Sequence, residues 1–389
     1  MFEGTKRKLK ERILLFPESN SPTFDDPGKF NSEEVKLDWP NEIKRPYVGL
    51  TQDCNAVPYW TKYALFLEKN GFSYSIFEHH RSDWIEQSSK FDTIIWSPKD
   101  GPFEMDDIKR KVYILEKKLG KICFPDYETL LLCDDKIFST YLLRINNLPI
   151  AETFISNDYN ESRMMIKKFT YPVVSKGSFG AGSKEVELVA KPSDAKRIVR
   201  KVFSVYGKRT HLKYMRQKNS IYFQRFVKGD RLDTRVNVIG NMIFGYYRKP
   251  RGKDFRASGS GIVIKEDLPI EAIKIALETY SKIGKAMLGV DMLKDDNGKY
   301  WIIEISPFIY VRTPEQLKVN GVPGAYSLQD DRTLLFEEKS FWPQQLALKV
   351  FFEQNYLSSV EEWKAEFLEP GIQKAISKEF YEQEVGSDF

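Results

Sequence analysis

The residues most able to do chemistry in this sequence are two carboxylates on neighbouring apolar segments. Asp291 lies in the apolar run 290–293, and Glu304 lies in the run 300–305. Residues 294–299 between the runs contain Asn-Gly, a strong signal for a tight hairpin turn. Carboxylates are seldom buried among apolar side chains unless they are paired or hold a metal ion. Two oxygen ligands on a rigid hairpin, with room for phosphate oxygens, suit Mg2+. The alternative is a strand-end acid that meets solvent or a lysine.

A glycine-rich segment, residues 176–184, predicts contact with phosphate. It reads Lys-Gly-Ser-Phe-Gly-Ala-Gly-Ser-Lys, and small residues let backbone N–H groups approach phosphate oxygens. It is not a P-loop, because the order is Gly-Ser-Lys and because strands are predicted on both sides, where a P-loop joins strand to helix. We predict a lid over a triphosphate, with Lys176 entering from the preceding strand; a plain hairpin loop is the alternative. The lid residues assigned to the nucleotide are Ser178, Phe179, Gly180 and Gly182.

Three arginines form a second group of candidate residues. Arg235 and Arg248 are predicted on facing strands of one hairpin, and Arg256 lies in the basic, glycine-rich loop 251–261. Converging guanidiniums bind carboxylate or phosphate with two parallel hydrogen bonds and stabilise developing negative charge. The alternative is a solvated basic face, where most surface arginines lie.

Two further segments carry weaker signals. Residues 224–230 run from a strand into a polar bend, which suits a hinge where a flat ring could lie; an ordinary strand and turn is the alternative. Asp134 and Asp135 open a predicted helix as capping acids, and Lys136 then becomes free to reach a ligand. The histidines show no metal-binding spacing and are predicted to be surface or hydrogen-bonded residues. They are His79, His80 and His211.

The elements that hold these residues change in pattern near residue 130. From 45 to 125, short apolar strands alternate with amphipathic helices, which predicts a parallel sheet covered on both faces. Farther along, strands come in pairs. We predict strands at 47–50, 74–77, 93–96, 121–124, 172–176, 184–189, 221–226, 234–239 and 242–247 and the 290–306 hairpin. We predict helices at 60–69, 83–88, 108–119, 138–147, 192–205, 270–288, 342–355 and 359–367, and a basic loop at 206–219.

Composition limits the class of protein. Hydrophobic residues make up 41% of the 389 residues, enough for a sizeable core. The 60 basic residues face 55 acidic ones, and a net charge of +5 fits a small anionic ligand without requiring nucleic acid. Three scattered cysteines predict a reducing, cytoplasmic location. No apolar run approaches about 18 residues, so membrane insertion is not expected.

Taken in order, these segments resemble the ATP-grasp superfamily. The resemblance is closest to the branch that holds the ligases adding glutamate to ribosomal protein tails and D-alanine–D-alanine ligase, and it covers roughly residues 130–310. It implies an α/β protein, α+β in its ATP-binding part, in which a parallel-sheet pre-ATP-grasp domain precedes two sheet-and-helix subdomains that clamp ATP. The implied divisions are an extension at 1–44, the pre-ATP-grasp domain at 45–130, the lid subdomain at 131–227, the C-terminal subdomain at 228–330 and a helical tail at 331–389.

The resemblance also implies a role for each matching residue. Lys136 and Lys176 would hold the phosphates, and Asp291 and Glu304 the magnesium ion. Ser306 stands where the family usually has the asparagine that completes a second magnesium site. The remaining matches are the adenine hinge Gln224, Arg225, Phe226 and Val227, the Asp-x-Arg pair Asp233 and Arg235, and the arginines Arg248 and Arg256.

The activity implied by the resemblance is ATP-dependent ligation of a carboxylate to an amine. An acyl phosphate would form first, the amine would displace phosphate, and Arg256 with Arg248 would stabilise the oxyanion. The implied cofactors are ATP and Mg2+, with Mn2+ as an alternative. The acid would be a small molecule, a peptide or a sugar acid, the amine could be an amino acid, and a homo-oligomer is left open. The alternatives are a phosphotransferase and a nucleotide-binding module without catalysis, which Ser306 keeps open.

Overall fold

The computed structural model describes residues 22–97, 101–133, 135–178, 185–212, 215–252, 254–259, 262–315 and 317–357. The predicted lid residues Phe179, Gly180 and Gly182 and the predicted helix 359–367 lie outside the described residues. Two compact units make up the described chain. The first unit consists of the described residues of Met1–Leu130, together with those of Tyr310–Glu315 and Ser340–Ser358. The second unit consists of the described residues of Leu131–Ile309 and Gln316–Lys339. The five-part division of the chain stays a prediction.

The first unit is built around a four-stranded parallel sheet, as the alternating pattern predicts. Its strand order is β2-β1-β3-β4, with β1 Val48–Leu50, β2 Tyr74–Ile76, β3 Thr93–Ile95 and β4 Ile122–Phe124. The helices along this part of the chain are α1 Trp60–Lys69, α2 Trp84–Ser88, α3 Pro102–Lys117 and α4 Tyr127–Leu132. Residues of β1 and β3 are buried without alternation, as expected for strands covered on both faces. Helix α3 begins before the predicted residue 108, because Pro102 is preorganised for the first helical position.

Segments from both ends of the described chain complete this first unit. Trp39 is buried, and the buried ammonium of Lys62 reaches Asp25 and lies 5.1 Å from the ring of Trp342. The predicted C-terminal helix is present as Pro343–Phe352, followed by a π-helical turn at Glu353–Leu357. Its Phe352 stacks on Phe72 with ring centroids 4.4 Å apart. Aromatic side chains from the predicted extension and the predicted tail therefore pack within the first unit.

The second unit contains a small antiparallel sheet of order β5-β10-β6-β7. Its strands are β5 Thr153–Ser156, β6 Val173–Lys176, β7 Val186–Val189 and β10 Ile221–Arg225, and its helices are α5 Lys136–Ile145, α6 Tyr159–Met165 and α7 Pro192–Val202. Helix α7 packs on the sheet through Ile198 and Val202, which share an apolar cluster with Val173 and Phe223. The prediction of a basic loop at 206–219 is wrong in part. The segment contains a short hairpin whose strands have two residues each, β8 Lys208–Arg209 and β9 Arg216–Gln217.

A larger antiparallel sheet forms the rest of the second unit. Its main path is β15-β14-β11-β12-β17-β16, with β13 paired to β12 and β18 paired to β17. The strands are β11 Asp233–Ile239, β12 Met242–Arg248, β13 Val263–Ile264, β14 Met287–Lys294, β15 Tyr300–Ser306, β16 Leu317–Val319, β17 Val322–Leu328 and β18 Leu334–Glu338. The predicted hairpins at 234–247 and 290–306 are confirmed. Strands β16 to β18 were not predicted, although the turn residues Asn320 and Gly321, both with positive φ, are the hairpin signal that could have found them.

Helix α8, Ile270–Ile283, packs on β11 and β14 and ends earlier than predicted. The prediction extended the helix to residue 288 because Met287 continues the apolar stripe. The structure instead ends the helix before Gly284, whose backbone is extended (φ −66°, ψ 155°), and Met287 begins β14. An apolar residue at this position fits the apolar face of a helix and a buried strand equally well. Hydrophobic periodicity therefore did not show where the helix ends and the strand begins.

Close packing of the large sheet predicts that Gly245→Ala destabilises the protein. A Cβ atom at position 245 would lie 2.1 Å from the carbonyl oxygen of Arg235, on the neighbouring strand β11. Overpacking of this kind costs about 1–3 kcal/mol, so the melting temperature Tm should fall by several degrees in a thermal unfolding scan. Ser281→Ala, on the exposed side of α8, is the control and should leave Tm nearly unchanged. An unchanged Tm in Gly245→Ala would contradict the close strand contact.

Candidate nucleotide and metal site

Strand register brings the predicted charged residues to one face of the large sheet. Arg235 on β11 lies directly opposite Asp291 on β14, and Asp291 lies directly opposite Glu304 on β15. On the other side of β11, Asp233 is opposite Arg248 of β12. Successive side chains of a strand alternate between faces, so residues two apart, such as Asp233 and Arg235, share a face. The hairpins therefore gather two guanidiniums and three carboxylates.

The two arginines and two of the aspartates form a buried ion cluster. The guanidinium of Arg235 donates two hydrogen bonds to Asp291, from Nε to Oδ1 at 2.6 Å and from Nη2 to Oδ2 at 3.0 Å. Nη2 of Arg248 lies 2.6 Å from Oδ2 of Asp233 and 2.7 Å from Oδ2 of Asp291. The aspartate side chains are at most 5% exposed. Removing one member would leave a buried charge without its partner, which is strongly destabilising.

The cluster moves the pKa values of its two aspartates in opposite directions. Burial would raise the pKa of Asp291, but the guanidiniums of Arg235 and Arg248 outweigh burial and hold that pKa at about 2. Burial raises the pKa of Asp233 to about 7, and the charge of Asp291 adds to this effect while Arg248 opposes it only in part. Asp291 is therefore ionised at all ordinary pH values, whereas Asp233 exchanges its proton near neutrality.

Two lysines lie beside Glu304. Nζ of Lys136 is 3.1 Å from Oε1 of Glu304, and Nζ of Lys176 donates a 2.9 Å hydrogen bond to the carbonyl oxygen of Ile303. Burial lowers the pKa of Lys176 to about 8, although Glu304 opposes the change. Desolvation would raise the pKa of Glu304, but both lysines act against it, and the net shift is downward. The side chain of Glu304 keeps 37% exposure, so this end of the site is open to a ligand.

The start of α5 positions Lys136. Oδ1 of Asp135 accepts hydrogen bonds from the N–H groups of Ile137 and Phe138, so the predicted N-terminal cap is present. The backbone N–H of Lys136 donates to the carbonyl oxygen of Ser178 at 3.2 Å. The first residues of the glycine-rich segment and the helix start are thus held together. A cleft between α5 and β15 opens beside them, and its lining includes Lys136, Thr140, Tyr222 and Glu304.

The predicted adenine hinge lies at the end of β10. Nε2 of Gln224 donates to Oγ1 of Thr153 at 2.9 Å, so this side chain is tied to the small sheet. The guanidinium of Arg225 lies 4.6 Å from the ring centre of Trp301. Phe226 is half-buried and Val227 is buried. The assignment of the four hinge residues to adenine stays a prediction.

Two predicted site residues are turned toward partners of their own. Arg256 contacts Asp254 within its loop, with Nη2 2.9 Å from Oδ2, and its side chain is 37% exposed. Ser258 of the same loop accepts a 3.5 Å hydrogen bond from Arg248, which places the loop beside the ion cluster. The hydroxyl of Ser306 donates to the carbonyl oxygen of Phe308 at 2.9 Å. The catalytic role of Arg256 and the metal-binding role of Ser306 stay predictions.

Asn237 is a residue of this face that sequence reasoning missed. It lies two positions after Arg235 on β11 and is fully buried. Neither polar atom of its side chain has a hydrogen-bond partner among the described residues, and Oδ1 lies 2.9 Å from the position that a Cβ of Gly289 would occupy. Buried amides almost always have partners. The alternation of polar residues in Asp-Thr-Arg-Val-Asn was the available signal.

A separate group in the first unit was also not predicted. Ligand atoms of His79, His80 and Asp107 lie within 4.8 Å of one another, although their spacing in the sequence has no metal-binding pattern. Nζ of Lys111 lies 2.6 Å from Oδ2 of Asp107 and donates to the carbonyl oxygen of His79. A lysine ammonium already holds the carboxylate, so this group does not favour a further cation.

Comparison with known proteins identifies the class. Residues 133–318 match the RimK-like ATP-grasp domain. Alpha-aminoadipate–LysW ligase LysX of Saccharolobus solfataricus is 27% identical over 262 residues, which cover 64% of this chain and 89% of that protein. Tetrahydromethanopterin:alpha-L-glutamate ligase of Methanocaldococcus jannaschii is 26% identical over 170 residues, 42% of this chain and 55% of that protein. D-alanine–D-alanine ligase from Bacillus anthracis is 18% identical, with a TM-score of 0.49 over 67% of this chain and 86% of that one.

The second unit therefore contains an ATP-grasp fold, as the sequence predicts. Residues 133–318 are a RimK-like ATP-grasp domain, and the chain is similar to ligases of the carboxylate–amine branch of that superfamily. The predicted enzyme class, a ligase that forms carbon–nitrogen bonds, is confirmed with it. Within the described residues, no helix combines the length and apolar character needed to cross a membrane.

The raised pKa of Asp233 predicts a pH dependence of stability. The pKa of Asp233 is about 7 in the folded state and about 3.9 in the unfolded chain. Proton binding by Asp233 therefore stabilises the folded state fully below about pH 4, and this stabilisation is lost as pH rises through about 7. Asp233→Asn cannot ionise, so Tm of the wild type relative to this variant should fall between about pH 4 and pH 7. Thermal unfolding scans across that range measure the difference. The exposed Asp296→Asn is the control, and a Tm difference that stays constant or rises with pH would refute the assignment.

Proposed function

We propose that this protein is an ATP-dependent carboxylate–amine ligase that acts through an acyl phosphate and releases ADP and phosphate. The observation that carries the proposal is the gathering of Lys136, Lys176, Arg235 and Arg248 around Asp291 and Glu304 within a RimK-like ATP-grasp domain. Phosphoryl transfer depends on positioning and electrostatic stabilisation more than on a protein nucleophile. A site made of cations and carboxylates meets that requirement.

The carboxylates fit a divalent metal ion. Asp291 and Glu304 face each other across neighbouring strands, and their oxygens are the hard ligands that Mg2+ prefers, with Mn2+ as an alternative. Each carboxylate offers about four lone-pair positions. Three guanidinium contacts on Asp291 and one lysine contact on Glu304 therefore leave acceptor capacity on both. We assign Ser306 as a third oxygen ligand. When bound, the ion would neutralise phosphate oxygens and orient them.

The lysines would bind and polarise the triphosphate. Lys136 and Lys176 supply two positive charges beside Glu304, and Lys176 is buried, where its charge is weakly screened. A substrate carboxylate oxygen would attack the terminal phosphorus as the bond to the ADP oxygen breaks. The two lysines would hold the transferred group in line and stabilise the charge that moves onto ADP.

The arginines would act in the second half of the reaction. The amine nitrogen would attack the acyl carbon, the carbonyl oxygen would gain negative charge, and phosphate would leave as the carbonyl forms again. We assign Arg248 and Arg256 to this oxyanion, with Arg235 holding Asp291 in place. Arg256 would have to exchange its contact with Asp254 for the substrate. Exclusion of water from the acyl phosphate is the task predicted for the glycine-rich lid.

The substrates are proposed by class. The names of the related ligases specify aminoadipate and glutamate as substrates of those proteins. We propose that an amino acid supplies the acid or the amine here. A cytoplasmic location is proposed from the small number and scattered positions of the cysteines, Cys54, Cys123 and Cys133, which suit a reducing compartment.

A nucleotide-binding module without catalysis is the second candidate. It is favoured by the Ser306 hydroxyl, which is directed to the backbone of Phe308, and by the three guanidinium contacts on Asp291. ATP binding without turnover for any acid and amine would support it. A phosphotransferase is separated by its products, because it yields a phosphorylated acceptor in place of free phosphate.

The first test is thermal unfolding with ATP, with and without Mg2+. Ligand at about one hundred times its dissociation constant adds about 2.7 kcal/mol to stability, which should raise Tm by several degrees. The shift should depend on Mg2+ and should be lost in Lys176→Met, which removes the buried ammonium. Absence of a shift at millimolar Mg-ATP would reject the nucleotide site.

Catalysis is tested with two substitutions and matched controls. Glu304→Gln and Arg256→Ala should abolish ADP release with a competent acid and amine, while circular dichroism and Tm show an intact fold. Glu338→Gln and Arg251→Ala change exposed residues of the same types and should keep normal turnover. Normal turnover in either site variant would contradict the catalytic assignment of Glu304 and Arg256.

The lowered pKa of Lys176 predicts that ATP binds more weakly in alkaline solution. The free protein loses the Lys176 proton as pH rises through about 8, whereas bound phosphate would favour the charged form. Titration calorimetry in buffers of different ionisation enthalpy should therefore detect proton uptake on ATP binding between about pH 8 and pH 9. Lys176→Arg keeps its charge throughout and should show no uptake. Equal proton uptake in both proteins would contradict the role of Lys176.

A further inference from the structure

The two carboxylate oxygens of Asp291 have different partners in the buried ion cluster. Oδ2 accepts a hydrogen bond from Nη2 of Arg235 at 3.0 Å and lies 2.7 Å from Nη2 of Arg248. Among the described residues, Oδ1 is in contact with a single guanidinium, through the 2.6 Å hydrogen bond from Nε of Arg235. Oδ1 is therefore the oxygen that needs to lose only one contact to bind a divalent ion, and the partner it would lose is Arg235.

Arg235 has fewer other partners than Arg248 once that contact is lost. Nη2 of Arg248 also lies 2.6 Å from Oδ2 of Asp233, so Arg248 keeps a second carboxylate. For Arg235, Asp291 is the one carboxylate within ion-pair distance in the described part of the chain. A guanidinium and a divalent ion on the same oxygen would repel each other, and the repulsion is weakly screened because Asp291 is 5% exposed. Metal binding therefore calls for another acceptor near Nε.

Asn237 is an acceptor without a partner in the right place. It follows Arg235 by two positions on β11, so the two side chains share a face of the sheet. Its side chain is fully buried, and neither of its polar atoms has a hydrogen-bond partner among the described residues. The residues directly opposite it are Phe244 on β12 and Gly289 on β14, neither of which has a polar side chain. A buried amide without a partner is costly, so its presence requires an explanation.

Gly289 leaves the space between Asn237 and Arg235 open. A Cβ atom at position 289 would lie 2.9 Å from Oδ1 of Asn237 and 3.6 Å from both Nε and Cζ of Arg235. Oδ1 and Nε therefore border the same space, and a rotation of the guanidinium would bring them into contact. Because Asn237 is fully buried and the side chain of Arg235 is 12% exposed, Asn237 would act on a ligand only through Arg235.

We propose that Asn237 is a positioning residue for the metal site, which takes over one hydrogen bond from Asp291. When Oδ1 of Asp291 ligates a divalent ion, Nε of Arg235 turns to Oδ1 of Asn237, while Nη2 stays on Oδ2 of Asp291. The carboxylate keeps its orientation, and the guanidinium keeps two hydrogen bonds. The exchange moves no proton and breaks no covalent bond. The proposal rests on the ligase function, because the ion is the one assigned to that site.

The test compares the Mn2+ requirement of the wild type with that of Asn237→Leu, which has a similar size and no acceptor. Thermal unfolding is followed while Mn2+ is raised at a fixed, saturating concentration of ADP, which avoids turnover. The Mn2+ concentration that gives a chosen rise in Tm should be about tenfold higher for Asn237→Leu, the effect of losing one hydrogen bond to a charged group. Chelation of Mn2+ by ADP in solution is the same for both proteins.

The metal-free protein separates this role from a structural one. Asn237→Leu removes a buried amide that has no partner among the described residues. Without Mn2+ and ADP, its Tm should therefore equal or exceed that of the wild type. A residue that only supported the fold would lower Tm and metal binding together when it is replaced. A lower Tm in metal-free Asn237→Leu would overturn the proposal.

Two further variants serve as controls. Asn241→Leu makes the same replacement at the exposed turn between β11 and β12 and should need the wild-type concentration of Mn2+. Asn237→Asp keeps an acceptor for Nε of Arg235 and should need no more Mn2+ than the wild type. A Mn2+ requirement in Asn237→Asp as high as that in Asn237→Leu would also overturn the proposal.

The response of the wild type separates this proposal from the ligase assignment. If Mn2+ does not raise the Tm of the wild type in the presence of ADP, the metal site is contradicted, and both the ligase assignment and the exchange are rejected. If Mn2+ raises the Tm of the wild type and of Asn237→Leu at the same concentrations, the exchange alone is rejected and the ligase assignment stands.

Discussion

The buried ion cluster of Asp233, Arg235, Arg248 and Asp291 is the constraint on which the site depends. Each of these groups loses much of its hydration in the sheet, which costs several kcal/mol per ion unless a partner is in place. Strand register supplies the partners, because Arg235 is opposite Asp291 and Asp233 is opposite Arg248. A slip of one residue would move every one of these side chains to the other face. The site can therefore form only when these strands pair in this register.

Small residues make this cluster geometrically feasible. Gly289 lies between Asn237 and Ser306 in the ladder, and its missing side chain leaves space that Asn237 and the guanidinium of Arg235 occupy. Gly245 likewise allows β12 to approach the backbone of Arg235. The side-chain amide of Asn237 is buried by this packing and has no hydrogen-bond partner among the described residues.

The charges at the site leave a small positive excess. At the site, four cations face three acids, and the pKa of Asp233 near 7 leaves that acid partly protonated at neutral pH. The small positive excess suits a polyphosphate that is also held by a metal ion.

The sequence by itself determined the class of fold, the order of the motifs and the residue types at the site. Strand–helix alternation, the Asn-Gly turn between Asp291 and Glu304, and the capping acid before Lys136 are local signals, and each produced the predicted local structure. Only the tertiary structure decided which charges pair, that Arg256 contacts Asp254, and that the hydroxyl of Ser306 is directed to Phe308. It also decided that Met287 begins a strand and that Arg209 opposes Arg216. The reason is physical: periodicity specifies the face on which a side chain lies, whereas its partner is set by register and by burial, which distant segments of the chain create together.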